Sequence, residues 1–369
     1  MTQFVSSFAT DQLVPPWVST GCLTWSFVVE VTEANVRNYL SKYFNGPYPD
    51  RAPYEYVPLP GPQFGLITFA QHPSIRSCAP GQPSDPLSFS EVLWTFPVRR
   101  YDVTTDNLLI RPQIVWVQPF SFCDNASVVF ASREIWGADM AIATVEQQKG
   151  LKPDQLHIDV AIEGIRKFSP RSVSERLGCM HIEKRPGGRV NLGSFLKERP
   201  QMRGFARLVQ NFRGRAGKLA PRTGGPMAAP ELDNLKQFRD TCNMGDATYR
   251  AIVASRAWHT DVSGLAFYES TDKRKIDMDI MWSDSIAEMA TTLLGVVPPQ
   301  KQGLPQRHKD AAPRGDGDGP IDWNLPSAPI GVALAFSFRS NVHFQVIDTL
   351  YTYGDRDRAA LRATSALKS

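Results

Sequence analysis

The feature that most constrains this chain is the recurrence of short runs dense in aromatic and β-branched residues. Cys22–Val31, Phe64–Ala70, Leu87–Pro97 and Gln113–Gln118 are of this kind, and their composition predicts strands. Ile158, Val160 and Ile162 alternate with polar residues, which predicts another. Tyr249–Ala257 and Gly264–Ser270 read as strands separated at Trp258-His259, and a final strand pair flanks Arg339-Ser-Asn341. Helix signals are fewer. Thr32 is a candidate N-cap before an i, i+3, i+4, i+7 stripe of Val36, Tyr39, Leu40 and Tyr43, closed by Asn45-Gly46. Pro230 starts a short predicted helix, and Ser283–Leu294 a longer one. The segment between the first helix and Gln63 reads as a Pro/Tyr-rich loop.

One segment stands apart. Ala126–Arg133 reads as a strand, and Ser132–Ala143 then places Arg133-Glu134 ahead of a single glycine, Gly137. Adjacent opposite charges beside an apolar strand either form a strand-end ion pair at a turn or line a site. An arginine can grip a carboxylate through two donors, and a buried glutamate persists only when paired or protonated.

Arg133-Glu134-Ile135-Trp136-Gly137, followed by an apolar run, resembles the signature of the acetoacetate decarboxylase-like superfamily. There the glycine is followed by Tyr-Pro-Lys-Lys, whose first lysine forms a Schiff base with the keto substrate. Here those positions are Ala138, Asp139, Met140 and Ala141, so the frame is present and the nucleophile is not. The resemblance further implies that Glu91, ahead of Pro97-Val98, matches the active-site glutamate of the family. The family's second acid has no counterpart, since Phe64–Ala70 holds no carboxylate. The implied fold is α+β, a large antiparallel cone-like or barrel-like β-structure with peripheral helices, forming one domain over residues 1–369. A homo-oligomer is implied by the same resemblance.

Two segments fall outside that frame: a basic insert at about 184–230 and a Pro/Gly-rich loop at about 298–328. Lys184–Arg222 holds eleven Lys/Arg against one acid, Glu198. It reads as a solvated excursion or, functionally, as a lid or docking surface for an acidic protein or phosphorylated substrate. Its Gly214-Arg-Ala-Gly-Lys218 lacks phosphate-loop spacing, and Gly315-Asp-Gly-Asp-Gly319 lacks the ligands of a calcium loop.

Composition narrows the classes. Hydrophobic residues make up 42% of the 369, enough for a substantial core. A net charge of +4 is too mild to indicate nucleic acid. Five widely spaced cysteines without a Cys-x-x-Cys pair argue against a disulfide framework and a thiolate metal site. No stretch reads as a targeting segment or membrane span, so the expectation is a soluble cytoplasmic protein without membrane association.

The chemistry available follows from these residues. The six histidines are scattered and read as structural or exposed, and the expectation is that the protein uses no metal and no cofactor. Met140 and Ala141 cannot form a Schiff base; a relocated amine would be Lys149, in a predicted turn. The candidate catalytic residues are Glu91, Arg133 and Glu134, with Trp94, Phe96, Trp136, Asp139 and Met140 lining a substrate pocket. That set suits an enzyme of specialised metabolism holding a keto-acid or polyketide-like small molecule and moving a proton without covalent attachment: cyclisation, dehydration or isomerisation. The alternatives are a non-catalytic ligand-binding or assembly protein and a lysine-dependent decarboxylase or aldolase. The same aromatic residues are equally compatible with plain core packing.

Overall fold

A computed structural model of the chain describes residues 14–46, 53–81, 85–148, 151, 154–202, 227–228, 231–239, 247–270, 276–283, 285–286, 321–323 and 325–352. Strand β1 (Trp17–Val31) runs into α1 (Glu33–Leu40). The Thr32 hydroxyl accepts the Asn35 N–H, and Val36, Tyr39 and Leu40 are the buried face, as the stripe predicts. β2 (Tyr54–Pro58), β3 (Gln63–Ser77), β4 (Leu87–Val103) and β5 (Leu109–Cys123) follow. Next come α2 (Ala126–Ala131), β6 (Met140–Gln147), β7 (Leu156–Gly164), β8 (Glu175–Lys184), β9 (Arg189–Val190) and α3 (Leu192–Glu198). The remainder is β10 (Met227–Ala228), β11 (Leu232–Arg239), β12 (Ala247–Glu269), β13 (Ile276–Met281), β14 (Ser327–Pro329) and β15 (Val332–Thr352). No described helix is long and apolar enough to cross a membrane.

Seven strands close on themselves in the order β5-β11-β12-β15-β1-β3-β4, with β4 pairing back to β5. A second sheet, β6-β7-β8-β13-β14, grows off this barrel through the parallel pairing of β5 and β6. Closure leaves no free edge around the barrel. The largest hydrophobic cluster lies between the barrel's outer face, the second sheet and α1, and joins Trp25, Phe27, Phe69, Val92, Trp94 and Phe96 to Tyr39, Phe44, Ile158 and Ile182.

The α+β, barrel-like expectation therefore holds, with local corrections. Ala126–Arg133 is helix, not strand: Asn125 accepts the Val128 N–H, and a π turn extends the helix through Ser132–Trp136. The cap outweighs the weak β-preference of Val128 and Val129. The segment after Pro230 is strand β11, since its backbone completes the barrel wall and tertiary pairing overrides local helix propensity. β12 continues through Trp258-His259 and bends at Asp261 and Gly264, both at positive φ. β15 likewise runs unbroken through Arg339-Ser-Asn341, because Arg339 pairs with Leu23 on one side and Ser263 on the other. Tyr54–Pro58, read as loop, is β2 on the edge of β4. The start of the basic insert is not a solvated excursion, since Phe195 and Met202 are buried against the barrel. Most of that insert, the Ser283–Leu294 helix beyond Ile286, most of the 298–328 loop and Lys149 lie outside the described residues.

Candidate active site

The barrel interior is not filled. It encloses a cavity of about 300 Å³, walled by alternate side chains of all seven strands and by α2, its π turn and Leu192 of α3. Most of the wall is apolar: Trp17, Leu66, Phe89, Trp116, Phe336 and Phe344 are representative.

Two bulges set a polar cluster into this wall. β1 slips register between Ser19 and Cys22, where Gly21 takes a φ of 70°, and β3 slips between His72 and Ile75. Each inserted pair reverses the in/out alternation, so Trp17 and Cys22 both face the cavity, as do His72 and Ile75. His72 then reaches Glu91 of the neighbouring strand, Nε2 to Oε1 3.3 Å, while Nδ1 lies 2.8 Å from the Ser19 hydroxyl. The imidazole stacks on Phe89 with centroids 4.4 Å apart. Burial alone would push the His72 pKa down, but the Cys22 sulfur and the Glu91 carboxylate outweigh it and raise it to about 10.

A second cavity histidine behaves oppositely. His259 is bonded through Nδ1 to the Ser340 hydroxyl at 3.0 Å, and burial, followed by the charge of His72, lowers its pKa to about 4. At neutral pH the site therefore holds an imidazolium, a neutral imidazole and Glu91. Pairs of groups pushed apart in this way mark acid and base assignments. Two further wall residues present buried polar atoms without a hydrogen-bond partner among the described residues, Trp136 Nε1 and Asn234 Oδ1. Arg256 lines the wall as well, with one guanidinium nitrogen 3.5 Å from Glu231.

Of the residues proposed from sequence, the structure brings together Glu91, Trp136 and Met140 on the cavity wall. It places the others elsewhere. Trp94 and Phe96 sit an odd number of residues from Glu91 on β4, so they face the outer core, where Trp94 meets Phe120 and Phe96 meets Tyr39 edge-on. Arg133 is exposed and Glu134 half-exposed, and neither lines the cavity. The reason is helical: Ser132 and Trp136 share the inward face, which turns the two intervening charges outward. Asp139 is exposed, and its carbonyl accepts the Ser121 N–H at 2.8 Å. Gly137 has the left-handed conformation expected of the motif glycine, φ 67°, and ends the π turn. A Cβ there would stand 2.6 Å from Lys236 Cβ and 2.8 Å from Lys236 backbone, so this glycine also lets the turn seat on β11.

Sequence reasoning missed His72, His259, Cys22 and Arg256. Their only signal was position: His72 shares β3 with the cavity-facing Ala70, and a two-residue period carries that face forward. No lysine is among the described residues that line the cavity. Lys184, buried, is held by the carbonyls of Asp154, Arg185 and Gly187 and lies 4.0 Å from the Tyr268 ring centroid. Lys236, though its pKa is lowered by burial, is absent from the wall.

No family model and no curated protein matches the sequence. Among solved structures the chain is similar to acetoacetate decarboxylase from Legionella pneumophila subsp. pneumophila str. Philadelphia 1, at 9% identity over 91% of this chain and 88% of that one, TM-score 0.48. It is similar to a second acetoacetate decarboxylase structure, at 9% identity over 92% of each chain, TM-score 0.44. It is also similar to the enduracididine biosynthesis enzyme MppR complexed with pyruvate, at 11% identity over 91% of this chain and 92% of that one, TM-score 0.45. At these identities and TM-scores the likenesses transfer no residue role and no reaction to this chain.

Proposed function

We propose that the barrel cavity is the active site of an enzyme that moves a proton on a small, largely apolar carbonyl compound, of keto-acid or polyketide-like character. The observation that carries this reading is the buried His72–Glu91 pair on the wall of an otherwise apolar cavity. Glu91 accepts a proton from the carbon beside the carbonyl. His72, as imidazolium, fixes the carboxylate and compensates its charge, which a dry cavity otherwise penalises. The indole N–H of Trp136 is a donor for the carbonyl oxygen, where negative charge develops. Protonated Glu91 then returns the proton to a different atom of the substrate, which restores the carboxylate. The net result is isomerisation, dehydration or ring closure, according to where that proton lands.

Arg256 lies three residues before His259 on β12, roughly 10 Å along an extended strand, and suits a carboxylate at the far end of the substrate. Among the described residues, the wall carries His72, Glu91 and Arg256 rather than a lysine, which supports a substrate held non-covalently. The test is native mass spectrometry against a panel of short and medium-chain keto acids, with and without borohydride. Binding without a trapped adduct is expected. A borohydride-trapped adduct on a lysine would overturn the non-covalent reading.

A further inference from the structure

On the outer face of the second sheet, away from the cavity, two imidazoles and a carboxylate converge. His157 and Asp159 lie two residues apart on β7 and so share a face. Asp159 stands opposite His181 of β8, and His157 opposite Glu183. His157 Nε2 is 3.0 Å from one Asp159 oxygen, and His181 Nδ1 is 2.7 Å from the other. The imidazole rings meet edge to face, 4.9 Å between centroids, and the three candidate ligand atoms lie within 4.8 Å of one another. Along the same cross-strand row, Glu146 of β6 stands beside Asp159, and Asp279 of β13 beside His181. None of these side chains lines the barrel cavity.

We propose that His157, Asp159 and His181 form a binding site for a divalent transition-metal ion such as zinc. A divalent ion can take one lone pair from each neutral imidazole and one from the carboxylate, and the three ligand atoms already lie within 4.8 Å of one another. Imidazole nitrogen with a single carboxylate suits zinc, nickel, copper or iron over calcium or magnesium, which prefer oxygen cages. Tetrahedral metal–ligand bonds of about 2.0–2.2 Å set ligand atoms about 3.3–3.6 Å apart, so the 3.0 and 2.7 Å contacts to Asp159 need open by under about 1 Å to admit the ion. The acidic neighbours at both ends of the row add a field that favours a cation. The strands hold this geometry rigidly, because both are paired on either side. His157 and Asp159 are about one-third and one-quarter exposed, which leaves water access to complete the coordination.

The test uses the full chain, stripped with a chelator and titrated with zinc by calorimetry and with cobalt by visible absorption. One equivalent per chain is expected, with the d–d bands of a nitrogen- and oxygen-ligated ion. His157→Gln and Asp159→Asn should each weaken binding at least tenfold, whereas His343→Gln leaves it unchanged. A zinc-dependent rise in melting temperature, present in the parent chain and absent from both variants, separates loss of the site from loss of the fold. Absence of one-equivalent binding, or binding of equal strength in the two variants, would overturn the proposal.

Discussion

His72 is buried, lies 3.3 Å from Glu91 and titrates at about 10, so it stays cationic across the neutral range. The consequence for stability has a definite sign. A histidine whose folded pKa lies above its ordinary 6.5 contributes fully below 6.5, and the contribution is lost as pH rises through about 10. The melting temperature of the parent chain should therefore exceed that of His72→Gln most at pH 6, with the gap closing towards pH 10, as a thermal-melt series would read. His259 runs the other way. Its folded pKa of about 4 lies below 6.5, so its contribution is present above 6.5 and is lost as pH falls towards 4. Activity is expected to stay level between these limits and to fall outside them. Gly137→Ala is a third residue-scale case. A side chain at φ 67° that also meets Lys236 backbone at 2.8 Å should cost more than about 1 kcal/mol, seen as a lowered melting temperature. Glu91 was legible in the sequence and Trp94 was not. The period of two that sends Glu91 inward sends Trp94 outward, and hydrophobicity alone does not say which face is the core. His72 follows the same period as Ala70, but nothing in the sequence says that this face lines a cavity, and the bulge after it changes the phase before Ile75.

The barrel wall has a weak join. Among the described residues, β5 and β11 run parallel and share the pairs Leu232–Trp116 and Asp233–Val117. An ion network spans it. Arg100 of β4 donates to Glu231 at 2.8 Å, to Asp233 at 2.7 Å and to Gln113 of β5 at 2.6 Å, while the Tyr56 hydroxyl donates to Asp233 at 2.8 Å. Removing one member strands a buried charge, so Arg100→Met should destabilise the fold by about 3–5 kcal/mol in denaturant melts. Adding Asp233→Leu should recover much of that loss. A single variant as stable as the parent would show that the join does not depend on the pair. Among elements, β1, α1, β3, β4 and β5 were readable from composition and capping. α2 and β11 were each assigned the wrong way round for one reason: short segments with mixed propensity take their state from what they pack against. Asn125 and the seat on β11 decide the first, and barrel closure decides the second.

Among the described residues, the barrel's outer face carries the largest hydrophobic cluster and its interior carries the polar cluster. An interior lined by Trp17, Phe89, Trp116, Phe336 and Phe344 has the residue types of a core but encloses about 300 Å³. The recurring strand runs indicated a mostly β chain, and the barrel-like class was what the resemblance of Arg133–Gly137 implied. The cavity was not legible, because it depends on how seven strands close rather than on any one of them. In the proposed reaction Glu91 abstracts a proton beside a substrate carbonyl inside this barrel. The most direct measurement is deuterium uptake at that carbon in heavy water, followed by proton NMR across the keto-acid panel, for the parent chain and for Glu91→Gln. Uptake on at least one member of the panel is expected well above the protein-free rate, reduced by about 10²-fold or more in Glu91→Gln. Equal uptake in the two proteins, or none above background with a bound keto acid, would contradict it.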